Sequence, residues 1–136
     1  MENPFVFNEY NDLIGKRILV AEDNLLNQII IRKILEKWQV IIEIVENGEE
    51  AIIKFSEQNF DIVLMDIQMP VMDGYAASKK IRLIENINAQ KVPIIALTAS
   101  VNYELQKMIE SAGMDAFLLK PYSPESLHEM LITHIK

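Results

Sequence analysis

The run Ile62-Val63-Leu64-Met65 is apolar throughout and ends on a carboxylate, Asp66, after which the loop DIQMPVMDG (66 to 74) carries a second acid, Asp73. Three other apolar runs end in the same manner: ILVA before Glu22-Asp23, IIAL before Thr98 and AFLL before Lys120-Pro121. One polar residue after an apolar run is ordinary loop chemistry, but five side chains at four such ends point to a shared site. Two carboxylates about 4 Å apart repel by about 4 kcal/mol at an effective dielectric near 20, so Glu22, Asp23 and Asp66 together call for a cation. Magnesium suits them, being a hard octahedral ion that takes one or two carboxylates, keeps waters and binds phosphate oxygen. With the ammonium of Lys120 and the hydroxyl of Thr98 alongside, the set fits phosphoryl transfer, where catalysis is mostly positioning and charge neutralisation. Asp66 is then the nucleophile, since a carboxylate can attack phosphorus to give an acyl phosphate. In the following loop Pro70 fixes direction, the Gln68 carbonyl can face the metal, and Gly74 starts the next helix. Asp73 is most simply that helix's cap, a direct metal role being the lesser alternative.

These side chains meet only if the runs before them are neighbouring strands. Short β-branched runs occur at 17 to 21, 40 to 45, 62 to 65, 93 to 98 and 116 to 119. Between them lie longer stretches with helical spacing. Leu26, Ile30, Ile34 and Trp38 mark the first stripe, Ala51, Ile52 and Phe55 the second, and Tyr75, Ile81 and Ile84 the third. Met108, Ile109 and Ala112 mark the fourth, with Gly113 placed to end it in a left-handed conformation. Ser123 can cap a fifth helix with Pro124 in its first turn and Leu127, Met130, Leu131 and Ile135 as its stripe, running to the chain end. Alternating β and α elements predict a doubly wound five-stranded parallel sheet with five helices on both faces. In such a sheet ligands gather beyond the carboxyl ends of the strands, where Glu22, Asp23, Asp66, Thr98 and Lys120 all fall.

The 136 residues suit one domain, and half of them are apolar. Residues 1 to 16 read as a leader or linker, although Phe5, Phe7 and Tyr10 can pack locally. The chain has no cysteine, which excludes disulfides and thiolate metal sites. No apolar stretch approaches the roughly 18 residues a membrane span needs, and the N-terminus lacks the basic and apolar regions of a signal peptide. The expectation is a cytoplasmic domain without membrane contact. A net charge of −7 argues against direct nucleic-acid binding.

The stretches ILVAEDN (18 to 24), DIVLMDIQMPVMDG (61 to 74), IIALTA (94 to 99) and DAFLLKP (115 to 121) resemble the receiver domains of two-component response regulators. The resemblance covers about residues 16 to 136, which sets the receiver domain at 17 to 136, and implies the flavodoxin-like strand order 2-1-3-4-5. It further implies that Asp66 is phosphorylated from the phosphohistidine of a histidine kinase or a histidine phosphotransfer domain. Mg2+ would be held by Asp23, Asp66 and the Gln68 carbonyl, with Glu22 in the outer shell and Lys120 on the phosphoryl group. Lys120-Pro121 would be a cis bond. Thr98 would move to the phosphoryl group and Phe117 would turn inward, altering the surface of the fourth helix, fifth strand and fifth helix. Phenylalanine stands where the family commonly has tyrosine, so a hydroxyl readout at 117 is not expected. The stretch VAEDNLLNQ (20 to 28) is similar to receivers of hybrid sensor histidine kinases, and on that resemblance no output domain is expected after Lys136. A fragment of a longer kinase is therefore expected, with a free-standing single-domain regulator as the alternative. On this reading the domain assists its own phosphorylation and dephosphorylation, while kinase activity belongs to the parent chain.

Gln68 and Ser100 each lie two residues past a site residue, where they can set access of the hydrolytic water and so the phosphate lifetime. An aspartate-nucleophile phosphatase would need the same groups, but it places the nucleophile first, a second aspartate two residues on and an acid pair last. Here the acid pair comes first and position 68 is Gln. A flavin or nucleotide carrier would want a phosphate-cradling loop after the first strand, where Glu22-Asp23 would repel the ligand. A module that is never phosphorylated would not need its reactive groups intact. His128 and His134 read as surface or boundary residues, and Trp38 and the methionines as core, with Met65, Met69 and Met72 near the site.

Overall fold

The computed structural model describes residues 11 to 135. The expected local packing of Phe5, Phe7 and Tyr10 lies outside the described residues, as does Lys136. Five strands form one sheet: β1 (Arg17–Ala21), β2 (Ile41–Val45), β3 (Ile62–Asp66), β4 (Ile94–Thr98) and β5 (Ala116–Leu119). All pairings are parallel, in the order β2-β1-β3-β4-β5. Six helices connect and cover them: α1 (Leu25–Lys37), α2 (Gly48–Glu57), α3 (Gly74–Arg82), α4 (Ile87–Lys91), α5 (Tyr103–Ser111) and α6 (Pro124–His134).

Each helix starts at a side chain that accepts a hydrogen bond from the backbone three residues on: Asn24, Asn47, Asp73, Asn86, Asn102 and Ser123. This satisfies an amide that the helix itself leaves unpaired and is typically worth about 1 kcal/mol per cap. Asp73 and Ser123 thus cap as expected, Gly74 opens α3, and Gly113 adopts the left-handed φ of +81° after α5. The five-residue α4 is a sixth helix that the apolar spacing does not reveal. It is held from outside itself, because Arg82 donates to the Ala89 and Gly113 carbonyls and pairs with Asp115 at 2.9 Å.

Strand alternation divides the core into two layers. Leu19, Ala21, Val63, Met65 and Ala96 face α2, α3 and α5, meeting Phe55, Ala77 and Ile109. Ile18, Val20, Ile62, Leu64 and Ile95 face α1 and α6, meeting Ile31, Leu35, Leu127 and Leu131. All five residues of β3 are buried, as a central strand covered on both faces requires.

The stripe of α1 is corrected by this packing. Ile31, Leu35 and Trp38 are buried and Ile34 packs at their edge, whereas Leu26 and Ile30 point away from the core with Leu25 and Ile29. The helix is apolar on two faces, and only the sheet decides which one is covered. Leu13, in a short 3-10 turn (Asn11–Leu13) within the stretch read as leader, is 1% exposed in the α1–α6 layer. His128 is also buried there, its ring meeting Trp38 edge-on at 5.2 Å with Asp12 at 3.5 Å. No helix among the described residues is long and apolar enough to cross a membrane.

Candidate functional site

The chain leaves β1 toward α1 on one face and leaves β3 toward α3 on the other. The two departing loops open a cleft beyond the carboxyl ends of the strands. That cleft, about 370 Å³, is lined by Glu22, Asp23, Asn24, Asp66, Gln68, Thr98, Ser100 and Lys120 among others. Residues separated by almost a hundred positions are therefore brought together as the strand ends required. A larger cavity near α4 and the end of α6, lined by Phe60, Lys91 and His134, holds none of them.

Asp66 is the last residue of β3 and only 7% exposed. Its Oδ1 accepts from the Gln68 amide at 3.2 Å and its Oδ2 from Lys120 Nζ at 2.8 Å. Its backbone is pressed against the start of α3: a side chain at Gly74 would strike the Asp66 carbonyl and the Met65 side chain. Glycine is needed there for close approach, and the approach fixes the carboxylate.

Glu22 is 2% exposed and held on every side. Its Oε1 accepts from Lys120 at 3.1 Å, its Oε2 from the Asn24 amide at 3.2 Å, and its backbone carbonyl from the Gln28 side chain at 2.6 Å. Asp23 is exposed at the rim. Carboxylate oxygens of Glu22, Asp23 and Asp66 all lie within 4.8 Å of one another. Three hard oxygen donors so close, with one ammonium between two of them, fit a divalent cation.

Burial lowers the affinity of Lys120 for its proton, but its hydrogen bonds to Asp66 and Glu22 and their charges outweigh that and raise its pKa. Tyr122 is pushed up to about 12, by burial first and then by the charge of Glu22, with Lys120 opposing. Lys120-Pro121 is cis.

Thr98 is in the cleft, yet its hydroxyl donates to the Ser100 carbonyl at 2.7 Å. Phe117 is half-buried against the core layer of α2, α3 and α5. Gln68 and Ser100 are exposed at the mouth. Sequence reasoning did not place Tyr75, Leu105 or Asn27 in this cleft, although they line it. Nothing in their types signals a site; the fold alone delivers them.

The family model for the response regulator receiver domain matches residues 18–132. The chain belongs to the response regulator receiver domain family. This receiver is 37% identical over 131 residues to hybrid signal transduction histidine kinase I of Dictyostelium discoideum, covering 92% of the chain and 8% of that protein. The receiver domain of a sensor histidine kinase from Pseudomonas aeruginosa PAO1, with magnesium coordinated in its active site cleft, superposes with a TM-score of 0.82. Its identity is 37%, over 88% of this chain and 97% of that one. The receiver domain of the Saccharomyces cerevisiae response regulator Ssk1, in co-crystal with the histidine phosphotransfer protein Ypd1, gives 0.83 at 28% identity, over 90% of each chain. This receiver spans between 4% and 15% of the length of such curated relatives.

Proposed function

We propose that Asp66 is the phosphoacceptor of a two-component phosphorelay. A carboxylate oxygen attacks the phosphorus of a phosphohistidine, the P–N bond breaks with its electron pair returning to the imidazole, and an acyl phosphate remains on Asp66. The observation that carries this reading is the rigid placement of Asp66 between Lys120 and the Gln68 amide, within reach of two further carboxylates.

Asp23, Asp66 and the Gln68 carbonyl would hold Mg2+, with Glu22 in the outer shell because its oxygens are already engaged by Lys120 and the Asn24 amide. The ion's contribution is to neutralise charge on the phosphoryl oxygens. Lys120 contacts those oxygens from the other side. Thr98 exchanges the Ser100 carbonyl for the phosphoryl group, Phe117 turns inward, and the surface of α5, β5 and α6 changes. Gln68 and Ser100, exposed at the mouth, tune hydrolysis.

The donor is a histidine kinase or a histidine phosphotransfer domain. Leu25, Leu26, Ile29 and Ile30 form an exposed apolar face on α1, and Asn24 and Asn27 of the same segment line the cleft. A donor helix docked on that face would bring its histidine to Asp66. Relatives that are sensor kinases many times longer support a parent hybrid kinase.

Incubation with acetyl phosphate and Mg2+ tests the chemistry. The wild-type chain is expected to gain one hydroxylamine-labile phosphate only where Mg2+ is free during the incubation, and Asp66→Asn to gain none while keeping its fold. Wild-type labelling of Asp66→Asn would reject the assignment.

A further inference from the structure

One hydroxyl in the cleft has no part in the chemistry above. Tyr75, the second residue of α3, lines the cavity with Thr98, Ala99, Ser100 and Leu105. Its ring packs against the core layer of α2, α3 and α5, and its Oη is closed to solvent without a hydrogen-bond partner among the described residues. Leaving a buried hydroxyl unpaired is costly, and packing alone does not require it, since phenylalanine would fill the same volume. Burial and the charge of Asp73 raise its pKa, so it stands as a neutral O–H donor.

Across the cleft, the loop between β4 and α5 holds an acceptor that the proposed switch would deprive of its donor. At rest the Ser100 carbonyl takes its hydrogen bond from Thr98 at 2.7 Å. When Thr98 turns to the phosphoryl group, that carbonyl is left without it. We infer that Tyr75 is a positioning residue whose O–H takes over the Ser100 carbonyl as Thr98 releases it, holding the loop between β4 and α5 in its switched position. The inference rests on the reading of Asp66 as phosphoacceptor. The unpaired hydroxyl of one state becomes the loop's donor in the other, and the cost at rest becomes a bias toward switching.

Tyr75→Phe removes only the oxygen. Beryllofluoride, a phosphoryl mimic, is titrated with Mg2+ into the whole chain while the amide signals of Thr98, Ala99 and Ser100 are followed by NMR. The half-saturating concentration should rise about threefold to tenfold in the variant, as expected for one lost hydrogen bond, while its resting Tm stays equal or rises. An unchanged half-saturation overturns the inference. So does a lower resting Tm, which would mean that the hydroxyl is already bonded at rest. A wild-type chain that does not respond to beryllofluoride would overturn both this inference and the reading of Asp66, whereas a responsive wild type with an equally responsive variant overturns this one alone.

Discussion

Lys120 is one cation shared by two carboxylates, 2.8 Å from Asp66 and 3.1 Å from Glu22, and neither acid has much water to fall back on. Removing it leaves two nearly buried charges facing each other. Lys120→Ala should therefore fold but lose roughly 1–3 kcal/mol, a range set by stranding a buried polar partner. Millimolar Mg2+ should restore part of the loss by supplying the missing charge, and the response to phosphorylation should stay poor. Denaturant melts with and without the ion would check this. The pH dependence has a definite sign as well. Both Lys120 and Tyr122 have folded-state pKa values above their ordinary ones, so both protonated forms favour the folded state. Their contributions are complete below the unfolded values near 10 and are lost as pH rises through the folded ones, which for Tyr122 is about 12. Stability should fall across that interval, and Tyr122→Phe should flatten part of the fall in an alkaline melting series.

Local backbone geometry decides how the loop after β3 presents its ends to the cleft. Val71 has φ +68° and is 75% exposed, and the Met72 amide donates across it to the Pro70 carbonyl at 2.7 Å. A β-branched residue in the left-handed region carries strain of about 1–2 kcal/mol, and at this exposure no packing offsets it. Val71→Gly should raise stability by roughly 0.5–1 kcal/mol, the relief being partly offset by the greater freedom of glycine in the unfolded chain. A Tm that falls would show that the valine is not strained. At this scale the sequence was legible wherever residue type determines geometry: Asp73 and Ser123 at helix starts, Gly113 at a helix end, five strands from five apolar runs. It was not legible where geometry comes from elsewhere. In α1, Leu26, Ile30 and Ile34 recur at a helical spacing just as Ile31, Leu35 and Trp38 do, and only the sheet can choose between the two stripes. In α4, five residues (INAQK) are too few to show a stripe, and the turn is held by Arg82 from a different helix.

The site exists only because the whole chain winds twice around one sheet. Strand order 2-1-3-4-5 places β1 between β2 and β3, so Glu22-Asp23 and Asp66 end on adjacent strands while their following helices leave to opposite faces. The strand order followed from the resemblance to receiver domains, whereas the doubly wound sheet and its shared polar edge were readable from alternating element lengths and the polar ends of four runs. Tyr75 was not, because its place in the cleft depends on how α3 lies against the β4–α5 loop. The two-faced composition of α1 belongs to this scale too. A helix that buries Ile31 and Leu35 has no folding reason to expose Leu25, Leu26, Ile29 and Ile30 as well, and the proposed docking of a donor helix would use that exposed set. Ile29→Lys should leave the unfolding free energy within about 0.5 kcal/mol of wild type, since the residue is largely exposed. Labelling by acetyl phosphate should be unchanged, because a small donor needs no docking surface. Transfer from a phosphorylated histidine phosphotransfer protein should slow about tenfold, the effect of charging a central contact worth about 1–2 kcal/mol. Equal slowing of both donors would place the damage in the acceptor site, and no slowing of either would move the docking surface off α1.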